Sequence, residues 1–307
     1  PVLINYSVGK KRYEKTPDAF DFELLKKIDE MDIPYWYPTD RMPEGYNTEQ
    51  PKKSHGITHV HHFYTKRNLW VLASVNDKIV SKNLNKIKLL LTSSLIRTSK
   101  MYKFTIDRKM GTVNGTYYIP SLWVENSALK LLNYKFNDFL KVKLFVNKNC
   151  LVQCGSLSDI RYLPSNSIDY IFTDPPFGSN LMYSELNFLW EAWLKVFTNN
   201  KPEAVVNKVQ KKGLAEYQEL MERCFAECYR ILKPGRWMTV EFHNSSNAVW
   251  NAIQEALLRA GFVVADVRML DKEQGSFNQV NASGAVKQDL IISAYKPRES
   301  FKRRFLK

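Results

Sequence analysis

Asp174, Pro175, Pro176 and Phe177 stand together as D-P-P-F, directly after the apolar run Ile168 to Thr173 and directly before Gly178. A carboxylate beside a proline carbonyl offers two acceptors to one amino group. Accepting both N–H bonds favours a pyramidal nitrogen with its lone pair exposed, which suits activation of an amine whose lone pair is otherwise delocalised into a ring. The prolines offer no competing N–H and keep the carbonyl direction stiff. A neighbouring aromatic ring suits stacking on a planar partner. Asp, Pro and Gly also favour turns, and the tetrapeptide alone reads equally well as one. Its place in the chain tilts the balance, because open α/β sheets take their ligands beyond the carboxyl ends of strands.

Four other groupings have the residue types for chemistry. His243-Asn244 follows a second apolar run and is a candidate for lining a pocket, or else a buried hydrogen-bonding pair. His59, His61 and His62 precede Phe63-Tyr64. Their H-x-H-H spacing lacks nearby Cys or acidic partners, which favours a structural or substrate-contacting loop over a metal site. Lys201, Lys208, Lys211 and Lys212 border one loop and could meet phosphates, although a solvated charged face is the ordinary reading of such a run. Cys150, Cys154, Cys224 and Cys228 form two C-x3-C pairs, unlike the C-x2-C pairs of zinc sites. Cys224 and Cys228 fall at helical spacing among apolar neighbours and read as buried thiols of a cytoplasmic protein.

The elements that hold these residues alternate in the second half of the chain. Cys150 to Cys154 and Ile168 to Thr173 read as buried strands. A helix follows with its stripe at Leu186, Leu189, Trp190, Trp193, Leu194 and Phe197. Leu214 to Leu232 is a second helix, stopped by Lys233-Pro234-Gly235, and Trp237 to Phe242 a strand. A third helix carries Val249, Trp250, Ile253 and Leu257 and ends at Gly261. Strands Phe262 to Arg268 and Asp289 to Tyr295 close the series as an antiparallel pair. This order predicts an α/β fold whose sheet is mostly parallel and covered on both faces. The first half predicts helices near Phe22 to Met31, Asn68 to Val80 and Leu84 to Lys100. Between them, Ile33 to Thr58 holds four prolines and reads as an irregular loop or linker.

Beyond these local readings, the chain resembles the prokaryotic DNA methylases, S-adenosylmethionine-dependent amino-methyltransferases acting on adenine N6 or cytosine N4. The likeness is carried by Asp174-Pro-Pro-Phe177, by Gly155-Ser-Leu-Ser-Asp159 with Leu163-Pro-Ser-Asn-Ser167, and by the helix Tyr183 to Trp193. Arg230 to Arg236 and Phe242-His-Asn244 extend it, and Gly56 to Asn68 joins more loosely. The resemblance implies a Rossmann-like methyltransferase sheet over residues 141–298, a helical and irregular region over 1–140, and a basic tail over 299–307. It implies S-adenosyl-L-methionine as cofactor, double-stranded DNA as partner, and a restriction-modification setting. Catalysis then falls to Asp174, Pro175, Pro176 and Phe177. Ser156, Asp159, Asp174, Tyr64 and Thr65 would face the cofactor, although Asp159 reads equally well as a capping or solvated residue. Phe177, His243, Asn244, Lys211 and Lys212 would face the flipped base and its strand. Asp in the first motif position leans towards adenine. D-P-P-F also serves RNA guanine-N2 methylation, which is a second reading, and an inactive nucleic-acid-binding module is a third.

A methyltransferase of this kind also needs a glycine-rich turn after its first strand. None of the 12 glycines lies two residues from another. The expectation is therefore a C-terminal portion of a longer methylase, the glycine turn lying in a preceding part, which is then a partner of this chain. Composition agrees with the rest. A chain of 307 residues with 44% hydrophobic residues can bury a full core, and a net charge of +14 favours a polyanionic partner. No run of about 18 apolar residues exists to span a membrane.

Overall fold

The computed structural model describes residues 1–105, 110–142, 149–243, 246–271, 288–298 and 300. The chain divides into two units, one of residues 1–146 with 186–197, the other of 147–185 with 198–307. The basic tail beyond residue 300 and Asn244 lie outside the described residues.

In the first unit, hairpin strands β1 (Ile4–Val8) and β2 (Lys11–Lys15) precede α1 (Ala19–Glu30). Asp18 caps α1 through a reciprocal box with Asp21. The helix is on the expected residues, yet it buries none of them, and Phe22 and Met31 are exposed. The proline-bearing stretch is not wholly irregular: α2 (Tyr46–His55) lies within it with Pro51 inside. An interior proline ordinarily breaks a helix. Here Gly56 ends the helix in the left-handed conformation, its N–H bonded to the Lys52 carbonyl, and Gln50 clasps the Ile119 backbone with two hydrogen bonds of 3.1 and 3.3 Å. Next, α3 (Lys66–Ser81) ends close to Asn83, which has a positive φ of 52°. The expected long helix over 84–100 shortens to α4 (Lys88–Ser94), followed by turns. Helix α5 (Ala128–Lys141) adds to the elements expected from periodicity. Buried Asn68 ties the unit together, its amide bonding the carbonyls of Thr98 and Asn126 while its oxygen accepts from Ala128 N–H. Phe63, Leu72, Leu91 and Leu95 form the core around it, together with Leu189 and Trp193 of α6 (Tyr183–Leu194).

The second unit is the predicted α/β part. Its sheet runs in the order β3 (Ile168–Thr173), β4 (Leu232–Phe242), β6 (Gln288–Tyr295), β5 (Val263–Asp271). Only β3 and β4 are parallel; β6 runs antiparallel to both β4 and β5. The expectation of a mostly parallel sheet is thus corrected to a mixed one. The last two strands pair antiparallel as expected, but β6 also takes the edge of β4, so β5 does not extend the parallel pair. The expected strand at Cys150 to Cys154 is also absent: Leu151 and Val152 are 78% and 89% exposed, without a ladder partner among the described residues. An apolar run becomes a strand only where an edge is there to receive it.

Helices α7 (Leu214–Ile231) and α8 (Asn247–Arg259) accompany the sheet. Tyr217, Met221, Phe225 and Cys228 of α7 and Ile253 and Leu257 of α8 are buried with Met238, Val240, Phe242, Ile292 and Ala294 of the strands. Alternate residues on these strands point the other way. Tyr170, Phe172, Trp237 and Met269 are exposed, so the expected cover on both faces is not found among the described residues. Lys233-Pro-Gly235 does not merely stop α7. It opens β4 as an irregularity in the parallel register between Ile168 and Tyr170, and Gly235 sits at a φ of 81°.

Candidate active site

Two parallel neighbours end together at one rim of the sheet. Strand β3 stops at Thr173, so Asp174 is the first residue past it, and β4 stops at Phe242, so His243 is the first past that. Asp174 is exposed, whereas Pro175 and Gly178 are buried. The turn is held from behind. Tyr217 of α7, fully buried, donates its hydroxyl to the Pro176 carbonyl at 2.6 Å. Burial pushes the Tyr217 phenol above its ordinary range, which keeps it a donor. Gly178 has a φ of 69°, a conformation that costs glycine little, and its carbonyl accepts from Val206 N–H at 3.1 Å.

Phe177 is half-buried. Its ring meets Phe242 edge to face at 5.5 Å and the His243 ring at 6.2 Å. The His243 Nδ1 lies 2.7 Å from a carboxylate oxygen of Asp289, which is only 1% exposed. Tyr183 is close enough to Asp174 that the carboxylate adds to the effect of burial in raising its pKa. Asp174, Pro175, Pro176, Phe177 and His243, drawn from two separate stretches of sequence, are therefore brought to one rim. Sequence reasoning missed Tyr217, read only as part of a helix stripe, and Asp289, read only as a strand residue.

The loop that follows α6 folds back beside this turn. Glu203 accepts from Ser184 N–H and hydroxyl, and buried Asn207 donates to Glu185. Lys212 directs its ammonium to the Asn200 and Glu203 carbonyls, at 2.6 and 2.7 Å, and burial lowers its pKa. Lys211, at a positive φ of 54°, stays exposed. Ser156 and Asp159 lie on an exposed turn. The Ser156 hydroxyl pairs with that of Ser158, and Asp159 pairs with Arg161, whose guanidinium holds its carboxyl below the usual range.

Tyr64 and Thr65 belong to the first unit. Tyr64 is buried. Thr65 caps α3, accepting from Asn68 N–H, and donates to Glu125. The neighbouring imidazoles of His59, His61 and His62 gather with centroids 4.4 to 5.6 Å apart. His61, His62, Lys66 and Lys100 line a cavity of about 340 Å³ there. Burial, then the charges of His62, His59 and Lys100, push His61 down to about 4. Among the thiols, Cys228 is buried and Cys224 partly so, burial raising them to about 12 and about 11.

The DNA methylase family model, covering N6 and N4 amino-methyltransferases, matches residues 168–305. No curated protein matches the chain. Among solved structures, similar ones include a protein of Thermus thermophilus described as a DNA modification methylase, complexed with S-adenosyl-L-methionine. It is 15% identical, with 47% of this chain and 54% of that one covered and a TM-score of 0.29. The M1.HpyAVI–SAM complex is 19% identical, with 45% and 47% covered and a TM-score of 0.24. A SAM-dependent methyltransferase of Methanosarcina mazei is 12% identical, with 57% and 80% covered and a TM-score of 0.28. The chain spans about half the length of the Thermus structures. Structural likeness this low carries no weight beside the sequence match, which takes in Asp174 to Phe177 and all four strands of the second unit's sheet. Over residues 168–305 the chain is similar to the DNA methylase family.

Proposed function

We propose that the chain carries the catalytic part of an S-adenosylmethionine-dependent DNA amino-methyltransferase, acting on adenine N6 in preference to cytosine N4. The observation that supports this most is the D-P-P-F turn itself: a solvent-facing Asp174 on a backbone pinned from behind by Tyr217. In this reading Asp174 accepts one N–H of the target amine and the Pro175 carbonyl the other. Phe177 stacks on a base flipped out of the duplex, offsetting about 1–3 kcal/mol of lost stacking. Positioning then dominates the step, and no strong general base is required.

The residues proposed for the cofactor fit it unevenly. Ser156, Asp159 and Asp174 are exposed, and the Asp159 carboxylate is an acceptor for an adenine amino group. Tyr64 is buried and the Thr65 hydroxyl is committed to Glu125, so neither presents an open donor. The cofactor, when bound, supplies the electrophilic methyl group. We assign the glycine turn that would cradle it to a preceding part of the same protein, because glycine spacing here provides none. Lys211 and the net charge of +14 serve the DNA backbone. No described helix is long and apolar enough to cross a membrane, and a cytoplasmic protein of a restriction-modification system is the setting proposed.

Methylation of duplex DNA by the full-length protein, with RNA as the parallel substrate, tests the reading. Transfer to DNA that collapses in Asp174→Ala is expected. Transfer to guanine N2 of RNA instead, or activity indifferent to Asp174, would overturn it.

A further inference from the structure

Asp289 is a carboxylate at a depth in the fold where apolar side chains are the rule. It is the second residue of β6, it is 1% exposed, and a carboxylate removed from water is strongly disfavoured unless a partner meets it. One neighbour that meets it is the imidazole of His243, whose Nδ1 lies 2.7 Å from a carboxylate oxygen. Topology explains the meeting. The parallel strands β3 and β4 release Asp174 and His243 at one rim, and antiparallel β6 enters the sheet at that same rim, with Leu290 opposite Phe242. Asp289 therefore comes in directly behind His243, and the imidazole in turn lies against Phe177 at 6.2 Å. A carboxylate this close to Nδ1 favours a proton on that nitrogen and holds the imidazole at the rim by electrostatic attraction.

We propose that Asp289 is a positioning residue of the D-P-P-F site, acting through His243 to set the Phe177 ring against which the target base packs. The role rests on the methyltransferase reading above. A purely structural account of the pair would predict only that its loss loosens the β4–β6 rim. Positioning predicts more, namely that the effect of Asp289 on catalysis passes through the imidazole.

Nitrogen-15 NMR of histidine in the unsubstituted 307-residue chain reads the pairing without any enzymatic activity. His243 is expected to carry its proton on Nδ1, and a neutral ring protonated on Nε2 alone would overturn the proposal. In the full-length protein, Asp289→Asn should lower kcat for DNA methylation by about 10- to 100-fold. In a His243→Gln background the same change should cost less than about 2-fold. Equal losses in both backgrounds would overturn the proposal even with methylation intact. Should Asp289→Asn not fold, the tautomer measurement still decides. Failure of the unsubstituted protein to methylate DNA, with the Nδ1 proton in place, would instead sink the functional reading.

Discussion

The two richest clusters of chemical side chains in this chain are built in opposite senses. At the D-P-P-F turn the acidic group faces solvent; behind it lie buried Tyr217, bonded to the Pro176 carbonyl, and buried Asp289, 2.7 Å from the flanking imidazole. At the turn of His59, His61 and His62 the titratable groups are half-buried and gathered against each other. Thr58 N–H is accepted by His62 Nδ1 at 3.3 Å, the Thr58 hydroxyl pairs with His59 at 2.8 Å, and Lys100 donates to the His62 carbonyl. The first arrangement exposes a carboxylate, whereas the second ties the ring nitrogens of His59 and His62 and the His62 carbonyl to Thr58 and Lys100. Open α/β sheets take their ligands beyond strand ends, which makes the D-P-P-F turn the stronger candidate of the two.

The largest effect should come from Asp174→Ala. The residue is exposed and takes no part in the core, so the circular dichroism spectrum and melting temperature should stay as they are. Methyl transfer should fall by about 10²–10³-fold or more, the cost of removing one preorganised electrostatic partner from a reacting centre. Folding damage of similar size in this variant would show that Asp174 belongs with the inward-facing type.

Tyr217→Phe probes the support behind the turn. Its hydroxyl holds the Pro176 carbonyl at 2.6 Å from a fully buried position. Loss of that bond should cost about 1 kcal/mol in denaturant unfolding. A slack proline backbone misplaces the amine it serves, so kcat should fall by about 10-fold. A variant that loses stability alone would limit Tyr217 to structure.

The histidine turn gives the next effect, and it is one of pH. His61 is held down to about 4 in the folded chain, below its ordinary 6.5. Between those two values the unfolded chain binds the extra proton and the folded chain does not, so stability falls as the medium is acidified from about 6.5 towards 4. His61→Gln should flatten that part of the stability profile while leaving the rate of methyl transfer in the full-length protein unchanged. A His61 imidazole that titrates near 6.5 by NMR would erase this contrast between the clusters.

Much of this was legible in the sequence, and the gaps have a common cause. Ile168 to Thr173 is a strand on the expected residues, and α7 and α8 follow their apolar stripes to within a few residues. Periodicity reads such elements because each is stabilised by a buried face that its own spacing displays. The run at Cys150 to Cys154 failed because a strand also needs a neighbour, which no local pattern reports. Pro51 inside α2 misled for the converse reason: Gln50 is anchored to Ile119, a partner 69 positions away. Asp174 to Phe177 could be named from a motif. Tyr217 and Asp289 could not, since one looks like any aromatic on a stripe and the other like a polar residue entering a strand. Only the topology that returns β6 to the rim of β4 makes Asp289 a neighbour of His243.

The smallest structural effect belongs to Asp159→Asn, and it bears on the cofactor side of the site. Asp159 sits on an exposed turn and pairs with the 82% exposed Arg161 side chain, an ion pair of the kind that contributes little to folding. The melting temperature should therefore not move. If Asp159 accepts from the adenine amino group of S-adenosylmethionine, cofactor binding by the full-length protein should weaken by about 10-fold, the worth of one hydrogen bond to a charged group. Asn retains one acceptor oxygen, so the loss should stop short of abolition, and Asp159→Ala should exceed it. Unchanged calorimetric affinity in both variants would leave Asp159 as a partner of Arg161 alone. The outward-facing groups of this unit would then narrow to those at the rim of β3 and β4.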